Sequence, residues 1–233
     1  MRISHRHRFI FFSNPKTGSE SVRKLLDPFS DIAGVPYWER TPEQPFYSHI
    51  RPIEVRALFE ERGWDYSNYF KFTFVRNPWA RLVSLYEMIH ASRSSGSKLL
   101  GRARSSLLQL TRGHPTTAGF QRWVRTIKTT GSGAGGPANQ RWQQYGSYTL
   151  RAYAGDENGV LLVDDVVRLE DARSRIPGIL EKIGLPAGAQ ADLPRVNVRR
   201  HSPYWTYYDA ATTDLVGELY ADDIATYNYR FRE

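Results

Sequence analysis

Two stretches of the chain share one order of apolar and polar positions: a short apolar run, a polar turn and then an amphipathic segment. In the first, the run FIFF at residues 9–12 is followed by Ser13, Asn14 and Pro15, which predicts a short buried strand that ends in a turn. A helix is predicted to begin near Thr17, with an inward face formed by Val22, Leu25 and Leu26.

The turn of this first stretch has the features of an anion-binding site. Thr17 and Glu20 have the spacing of a capping box, in which the hydroxyl accepts from a backbone N–H and the carboxylate reaches back to the cap. The remaining N–H groups at a helix N-terminus favour an anion, Lys16 adds a full positive charge, and Gly18 allows close approach to the backbone. The same pattern also fits an ordinary strand-turn-helix corner with a solvated lysine.

The second stretch, residues 69–86, repeats this order. Alternating phenylalanines lead to Val75, Asn77 can cap a helix, and Pro78 suits its first position. Ser84 lies two turns into that helix.

Arg76 occupies the turn between the predicted strand and helix of the second stretch. Ligands of open α/β sheets bind outside the carboxyl ends of the strands, so we expect Arg76 and Lys16 to face one crevice. The forked guanidinium of arginine suits a phosphate monoester. Two such turns indicate a ligand with two separate phosphates.

The remaining pattern predicts further elements and a basic N-terminal arm in which His5 and His7 face solvent. The predicted elements are a helix over about 52–62 ended by Gly63, a short amphipathic helix containing residues 120–127, a strand over 160–163 that continues through 166–169, a helix over 172–183, and a final helical stretch over 209–229.

Residues 15–21 (PKTGSES) and 76–86 (RNPWARLVSLY) together resemble the paired cofactor loops of the sulfotransferases that use 3′-phosphoadenosine 5′-phosphosulfate (PAPS). The carbohydrate (type 2) subgroup and its bacterial relatives are the most similar. The resemblance implies an α/β fold in a single sulfotransferase domain over residues 1–233. That fold has a central, mostly parallel sheet flanked by helices and a P-loop-like nucleotide-binding site.

The resemblance also implies residue roles. Lys16 and Thr17 would hold the 5′-phosphosulfate, with Lys16 stabilising the leaving phosphate, and Arg76 and Ser84 would hold the 3′-phosphate. An aromatic residue in the segment 197–208 would stack on adenine, although these aromatics could equally pack the last helix. The expected cofactor-binding residues are Pro15, Lys16, Thr17, Gly18, Ser19, Glu20, Ser21, Arg76, Ser84, Arg199 and Tyr204.

His49 is the candidate general base. It lies between the two loops, and an imidazole with an ordinary pKa of about 6.5 can take a proton from a hydroxyl at neutral pH. On chemistry alone, a capping or core histidine is an equal alternative. The segment SHIR at residues 48–51 resembles the position of the catalytic histidine in the family.

Several polar segments have no assigned chemistry. Flexible loops are expected at about 91–116, which is rich in Ser, Arg and Gly, and at about 129–138, which contains four glycines. Asn139 and Gln143 lie in an amide-rich and aromatic-rich stretch of the kind that binds sugars, and their contact with an acceptor stays open.

Composition agrees with these interpretations without deciding between them. The 233 residues are 40 % hydrophobic, and a net charge of +8 favours an anionic partner. The chain has no cysteine, and its histidines lack metal-ligand spacing, so no metal is expected. No apolar run reaches the roughly 20 residues of a membrane span or resembles a signal peptide, which leads us to expect a cytoplasmic protein.

The expected activity is sulfuryl transfer from PAPS to a hydroxyl of a saccharide or glycosylated small molecule, with adenosine 3′,5′-bisphosphate as the second product. A P-loop kinase or nucleotide hydrolase is an alternative, although the Walker spacing is missing; Asp164 and Asp165 are its candidate magnesium ligands. The positive charge also fits a basic nucleic-acid-binding module, and the two turns also fit a relative that binds the nucleotide without catalysis. The sequence does not indicate an oligomeric state.

Overall fold

The computed structural model describes residues 1–92, 116–129, 147–185 and 202–232. They fall into two compact units, Met1–Arg76 with Tyr148–Arg199 and Asn77–Ser147 with Arg200–Glu233. The organisation of residues 1–233 as a single domain stays a prediction. The helices, in chain order, are α1 (Ser19–Leu26), α2 (Pro52–Glu61), α3 (Pro78–Ser92), α4 (Thr117–Thr129), α5 (Leu150–Ala154), α6 (Ala172–Lys182), α7 (Ala210–Leu219) and α8 (Ala221–Tyr227).

The first unit contains a five-stranded sheet in the order β3-β1-β2-β4-β5. Neighbouring strands β2, β4 and β5 run parallel, whereas β1 pairs antiparallel with β2 and with β3. The sheet is therefore mixed, with its parallel part where the two predicted turns begin, and the expected α/β class is confirmed. The strands are β1 (Arg2–Ser4), β2 (Phe9–Phe12), β3 (Ile32–Ala33), β4 (Phe70–Val75) and β5 (Asp165–Arg168).

The main core of the first unit lies between one face of the sheet and the helices α1 and α6. Alternate residues of the strands point into it because side chains of a strand alternate between the two faces. The rings of Phe11 and Phe74 meet edge to face with centroids 5.9 Å apart. The helices contribute residues at helical spacing. This core contains Phe9, Phe11, Phe72, Phe74, Val167, Val22, Leu26, Ile176, Ile179, Leu180 and Ile183.

The predicted solvent-exposed N-terminal arm is wrong. Residues Arg2–Ser4 form β1, and the ring of His5 lies against Trp64 with centroids 4.5 Å apart. His5 Nδ1 is also 2.6 Å from the Tyr69 hydroxyl. The run that forms β1 was missed because it is three residues long and contains one apolar side chain.

The predicted strand at 160–163 is also wrong. The Asp156 carboxylate accepts from the backbone N–H groups of Asn158 and Val160, at 2.9 and 2.8 Å, and so stabilises a turn. Val160 is 61 % exposed, so this apolar run does not enter the core. The strand begins only at Asp165.

The second unit contains α3, α4, α7 and α8. Asn77 caps α3 as predicted, since its Oδ1 accepts from the backbone N–H of Ala80 at 3.2 Å. The predicted final helix is divided in two at Tyr220, whose backbone leaves the helical region (φ −117°, ψ 26°). The Tyr220 hydroxyl donates to the Ser147 carbonyl oxygen at 2.7 Å, a contact between distant residues that the local pattern cannot predict.

None of the helices in the described ranges combines the length and the apolar character that crossing a lipid bilayer would require.

Candidate active site

The loops that follow β2, β4 and β5 meet at the carboxyl edge of the parallel strands. Arg76, directly after β4, donates from Nη1 to the carbonyl oxygen of Lys16 in the loop after β2, at 3.4 Å. Gly18 of the same loop lies against the side chain of Leu169, which follows β5. The expected proximity of the Lys16 and Arg76 turns is therefore observed.

The loop between β2 and α1 has an unusual backbone. Lys16 has φ +64° and Gly18 has φ +72°, so two left-handed residues are separated by one residue. For lysine this conformation costs on the order of 1 kcal/mol and is maintained only where surrounding contacts hold it. Turns that combine left-handed and right-handed residues form concave groups of N–H donors that bind anions. The backbone thus favours the predicted chemistry.

Buried polar contacts hold this turn. The Thr17 hydroxyl donates to the Asn14 carbonyl oxygen at 2.8 Å, and Asn14 Nδ2 donates to the Phe74 carbonyl oxygen on β4 at 3.1 Å. Thr17 and Asn14 are fully buried. Asn14 therefore connects the turn to the neighbouring strand, a positioning role that the sequence did not indicate because Phe74 lies 60 residues away.

The predicted capping box is wrong. Helix α1 begins at Ser19, and its cap is Gly18, which makes no side-chain cap hydrogen bond. Thr17 uses its hydroxyl on Asn14 instead, and Glu20 lies close enough to Arg23 to raise the pKa of that guanidinium. Burial has the larger and opposite effect on Arg23, whose pKa is lowered overall.

Gly18→Ala is expected to destabilise the protein by about 1 to 3 kcal/mol. A side chain at φ +72° is strained, and the added methyl carbon would lie 2.5 Å from Leu169 Cδ1. Gly178→Ala is the matched control: Gly178 lies within α6, where an added methyl group meets nothing within 4 Å, so a gain of about 0.5 to 1 kcal/mol is expected. Urea unfolding measures both, and equal stability of Gly18→Ala and wild type would contradict this account.

His49 lies beside the same turn, in a fixed orientation. Its Nδ1 is 2.7 Å from the carbonyl oxygen of Ser13. Because a carbonyl oxygen can only accept, Nδ1 carries the proton, and the neutral ring therefore has its lone pair on Nε2. No described residue forms a hydrogen bond to Nε2. This tautomer is the one that a general base at Nε2 requires.

The pKa of His49 is lowered to about 4, mainly by burial; the hydrogen bond to Ser13 opposes the shift, and the positive charges of the N-terminal amino group, Arg23 and Lys16 add to it. The imidazole is therefore neutral at pH 7. The charge of Arg23, a third cation, therefore also acts on this imidazole. Sequence reasoning did not indicate this cation, because the side of α1 on which Arg23 lies depends on the residue at which the helix begins.

The segment that carries His49 is anchored on both sides. The Tyr153 hydroxyl donates to the Ile50 carbonyl oxygen at 3.2 Å, and the Ser48 hydroxyl donates to the Gly34 carbonyl oxygen at 3.1 Å. These contacts fix the backbone around the histidine, so its ring orientation is set by the fold.

Three predicted cofactor residues, Ser84, Arg199 and Tyr204, lie in the second unit or outside the described residues. Ser84 is half-buried in α3 of the second unit. In that unit the Tyr204 hydroxyl donates to the Phe231 carbonyl oxygen at 2.5 Å, and its ring packs edge to face on Trp205 and Phe231, so Tyr204 has a structural role whatever else it does. The roles of Ser84 and Tyr204 stay predictions. Arg199, Asn139, Gln143 and most of the two loops predicted at 91–116 and 129–138 lie outside the described residues.

The candidate magnesium ligands of a kinase are engaged in other contacts. Asp164 accepts from the Lys71 backbone N–H at 2.8 Å and pairs with Lys71 Nζ at 3.0 Å. Asp165 pairs with Arg175 at 3.0 Å. Both lie at the start of β5, the end opposite to the carboxyl edge where the turns meet. Within the described ranges, no group of three or more His, Asp or Glu side chains could hold a metal ion.

Comparison with known families gave one finding and comparison with curated proteins gave none. A model described as the sulfotransferase family matches residues 1–230. No curated protein matched the chain.

Proposed function

Since the chain belongs to the sulfotransferase family, we propose that it transfers a sulfuryl group from PAPS to a hydroxyl group of a carbohydrate or a glycosylated small molecule. The observation that carries this proposal is the arrangement at the carboxyl edge of β2 and β4. There the loop after β2 contains the left-handed residue Lys16. The guanidinium of Arg76 and the imidazole of His49 each form a direct hydrogen bond to the backbone of this loop.

The residues of this edge fit an anionic donor. Lys16 and Arg76 supply positive charge, and the turn contains two left-handed residues, a feature of anion-binding nests. When bound, PAPS would supply the sulfuryl group and a phosphate leaving group. Lys16 would neutralise charge on the leaving oxygen, and Thr17 to Ser21 would contribute backbone donors. Arg76 would bind the 3′-phosphate. Ser84, Arg199 and Tyr204 stay candidates from the sequence for binding the 3′-phosphate and adenine.

His49 would act on the acceptor. Its Nε2 would take the proton of the attacking hydroxyl while Nδ1–H stays on the Ser13 carbonyl oxygen. This hydrogen bond keeps the lone pair on Nε2 and stabilises the imidazolium that forms. No metal is needed for these steps, because Lys16 and the backbone donors carry the charge stabilisation.

A kinase or nucleotide hydrolase is supported less well. The turn lacks the two glycines of the Walker pattern, and Asp164 and Asp165 pair with cations at the opposite end of β5. A nucleic-acid-binding module rests on the net charge of +8 and the scattered aromatic residues.

The decisive experiment is calorimetric titration with adenosine 3′,5′-bisphosphate and with ADP, in EDTA. We expect metal-independent binding of the bisphosphate that is at least about tenfold tighter than binding of ADP, because a charge-assisted contact to the 3′-phosphate adds about 1.5 to 3 kcal/mol. Arg76→Ala should remove this preference. Arg173→Ala is the matched control, since Arg173 is an exposed arginine of α6 in the same unit.

Two outcomes would contradict the proposal. Equal or tighter binding of ADP would favour a kinase or nucleotide hydrolase. Absence of nucleotide binding, together with strongly salt-dependent binding of a DNA or RNA oligonucleotide, would favour a nucleic-acid-binding module.

A further inference from the structure

Trp38 is the most exposed of the large apolar side chains in the described ranges. Its side chain is 79 % exposed, and the neighbouring Tyr37 is 42 % exposed. Indole rings usually bury most of their surface, because their area makes them major contributors to packing. Tryptophan and tyrosine are enriched at binding surfaces, because each combines a large apolar ring with a polar edge.

The backbone under Trp38 is held in place. Residues Tyr37–Glu39 form a turn of 3₁₀ helix that Pro36 precedes. The guanidinium carbon of Arg40 lies 3.9 Å from the centre of the Tyr37 ring, and Arg40 Nη2 donates to the Tyr37 hydroxyl at 2.7 Å. Tyr37 also meets the ring of Tyr47 edge to face, with the ring centroids 5.0 Å apart. Trp38 is therefore exposed on a turn, Tyr37–Glu39, that these contacts hold in place; this turn is called the support below.

This support is connected to the segment of His49. Val35 and Tyr47 form an isolated parallel bridge, and the Ser48 backbone N–H donates to the Val35 carbonyl oxygen at 2.8 Å. Gly34 allows the two segments to approach, since a methyl carbon there would lie 2.8 Å from the Tyr47 carbonyl oxygen. The exposed indole and the candidate base are thus carried by two backbone segments that are bonded to each other.

We propose that the indole of Trp38 is the acceptor platform of this protein and that it stacks on the apolar C–H face of a pyranose ring. The inference rests on the proposed function and adds the surface that selects the acceptor. A pyranose combines a flat apolar face with hydroxyl groups at its rim. The indole matches the face, and the residues that follow it in the chain, Glu39 and Arg40, are of types that can accept from and donate to hydroxyl groups.

The test compares Trp38→Ala and Trp38→Phe with wild type. Initial rates are measured with methyl β-D-glucopyranoside, methyl β-D-galactopyranoside and N-acetylglucosamine, and with 2-naphthol as a planar alcohol that is not a sugar. Trp38→Ala should raise KM for the best pyranoside about tenfold with little change in kcat, and Trp38→Phe should stay within about threefold of wild type. Val160→Ala, which truncates another exposed apolar side chain of the same unit, is the control and should leave KM unchanged.

Calorimetry with adenosine 3′,5′-bisphosphate on the same variants separates this inference from the proposed function. Normal bisphosphate binding in all variants, with the KM effect confined to Trp38, supports the platform. An unchanged KM in Trp38→Ala, or turnover of 2-naphthol but of no pyranoside, overturns it and leaves the sulfotransferase proposal in place. If wild type does not bind the bisphosphate, both the platform and the proposed sulfotransferase function are overturned.

Discussion

Replacing Lys16 with alanine is expected to lower kcat for sulfuryl transfer by about 10²- to 10³-fold while the protein stays folded. The lysine is placed where its charge can meet the leaving phosphate oxygen, in a turn whose backbone is held by Asn14 and Thr17. Alanine has the same strain as lysine at φ +64°, so the melting temperature should change little. The rate is followed by formation of adenosine 3′,5′-bisphosphate.

Lys24→Ala is the matched control for this substitution. Lys24 is an exposed lysine in the last turn of α1, on the helix that begins directly after the turn. Its loss should leave kcat within about twofold, as for an ordinary surface change. If Lys16→Ala kept more than about a tenth of the wild-type rate, Lys16 would not be the residue that stabilises the leaving group.

Replacing His49 with alanine or glutamine is expected to lower kcat by about 10²- to 10⁴-fold, the usual contribution of a positioned base. The pH dependence gives an independent test. The folded-state pKa of His49 is about 4 because of its burial, and the active form is the neutral ring. The value of kcat/KM for the donor, which reports the enzyme with an empty donor site, should therefore stay constant from neutral pH downward and fall only as the pH approaches about 4. An ordinary histidine would already lose activity near pH 6.5.

The same lowered pKa of His49 makes the free energy of unfolding depend on pH. The unfolded chain binds the proton of His49 at about pH 6.5 and the folded chain only at about pH 4. Stability is therefore fully present above about pH 6.5 and is lost as the pH falls towards 4, and His49→Gln should lack this part of the pH dependence. His7→Ala is the control for both readouts, since His7 lies outside this site in the hairpin between β1 and β2. A fall of kcat/KM near pH 6.5, or a kcat of His49→Ala close to that of wild type, would exclude His49 as the base.

The elements that the sequence predicted well are those whose signals are local. The four residues of β2 are apolar and end at residues typical of turns, and α3 begins with a capping asparagine and a proline, so both were placed correctly. The proximity of Lys16 and Arg76 followed from the rule that ligands bind at the carboxyl ends of parallel strands. These features needed no knowledge of distant contacts.

The features that the sequence did not predict depend on contacts between distant residues. Thr17 has the spacing of a capping residue, yet its hydroxyl bonds to Asn14, which is itself fixed by Phe74 of another strand. The tautomer of His49 depends on the Ser13 carbonyl oxygen, 36 residues earlier. No local pattern contains either partner, so the candidate residues could be named from the sequence but their orientation could not.

The low pKa of His49 has a consequence for the order of events. Lys16 and Arg23 are two of the charges that make the imidazole a weak base. Under the proposed function, an anionic donor on the turn offsets those charges, so the imidazole gains affinity for a proton once the donor is in place. A hydroxyl that reaches His49 before the donor meets a base that is too weak to activate it. The imidazole therefore becomes an effective base only after the sulfuryl donor has bound.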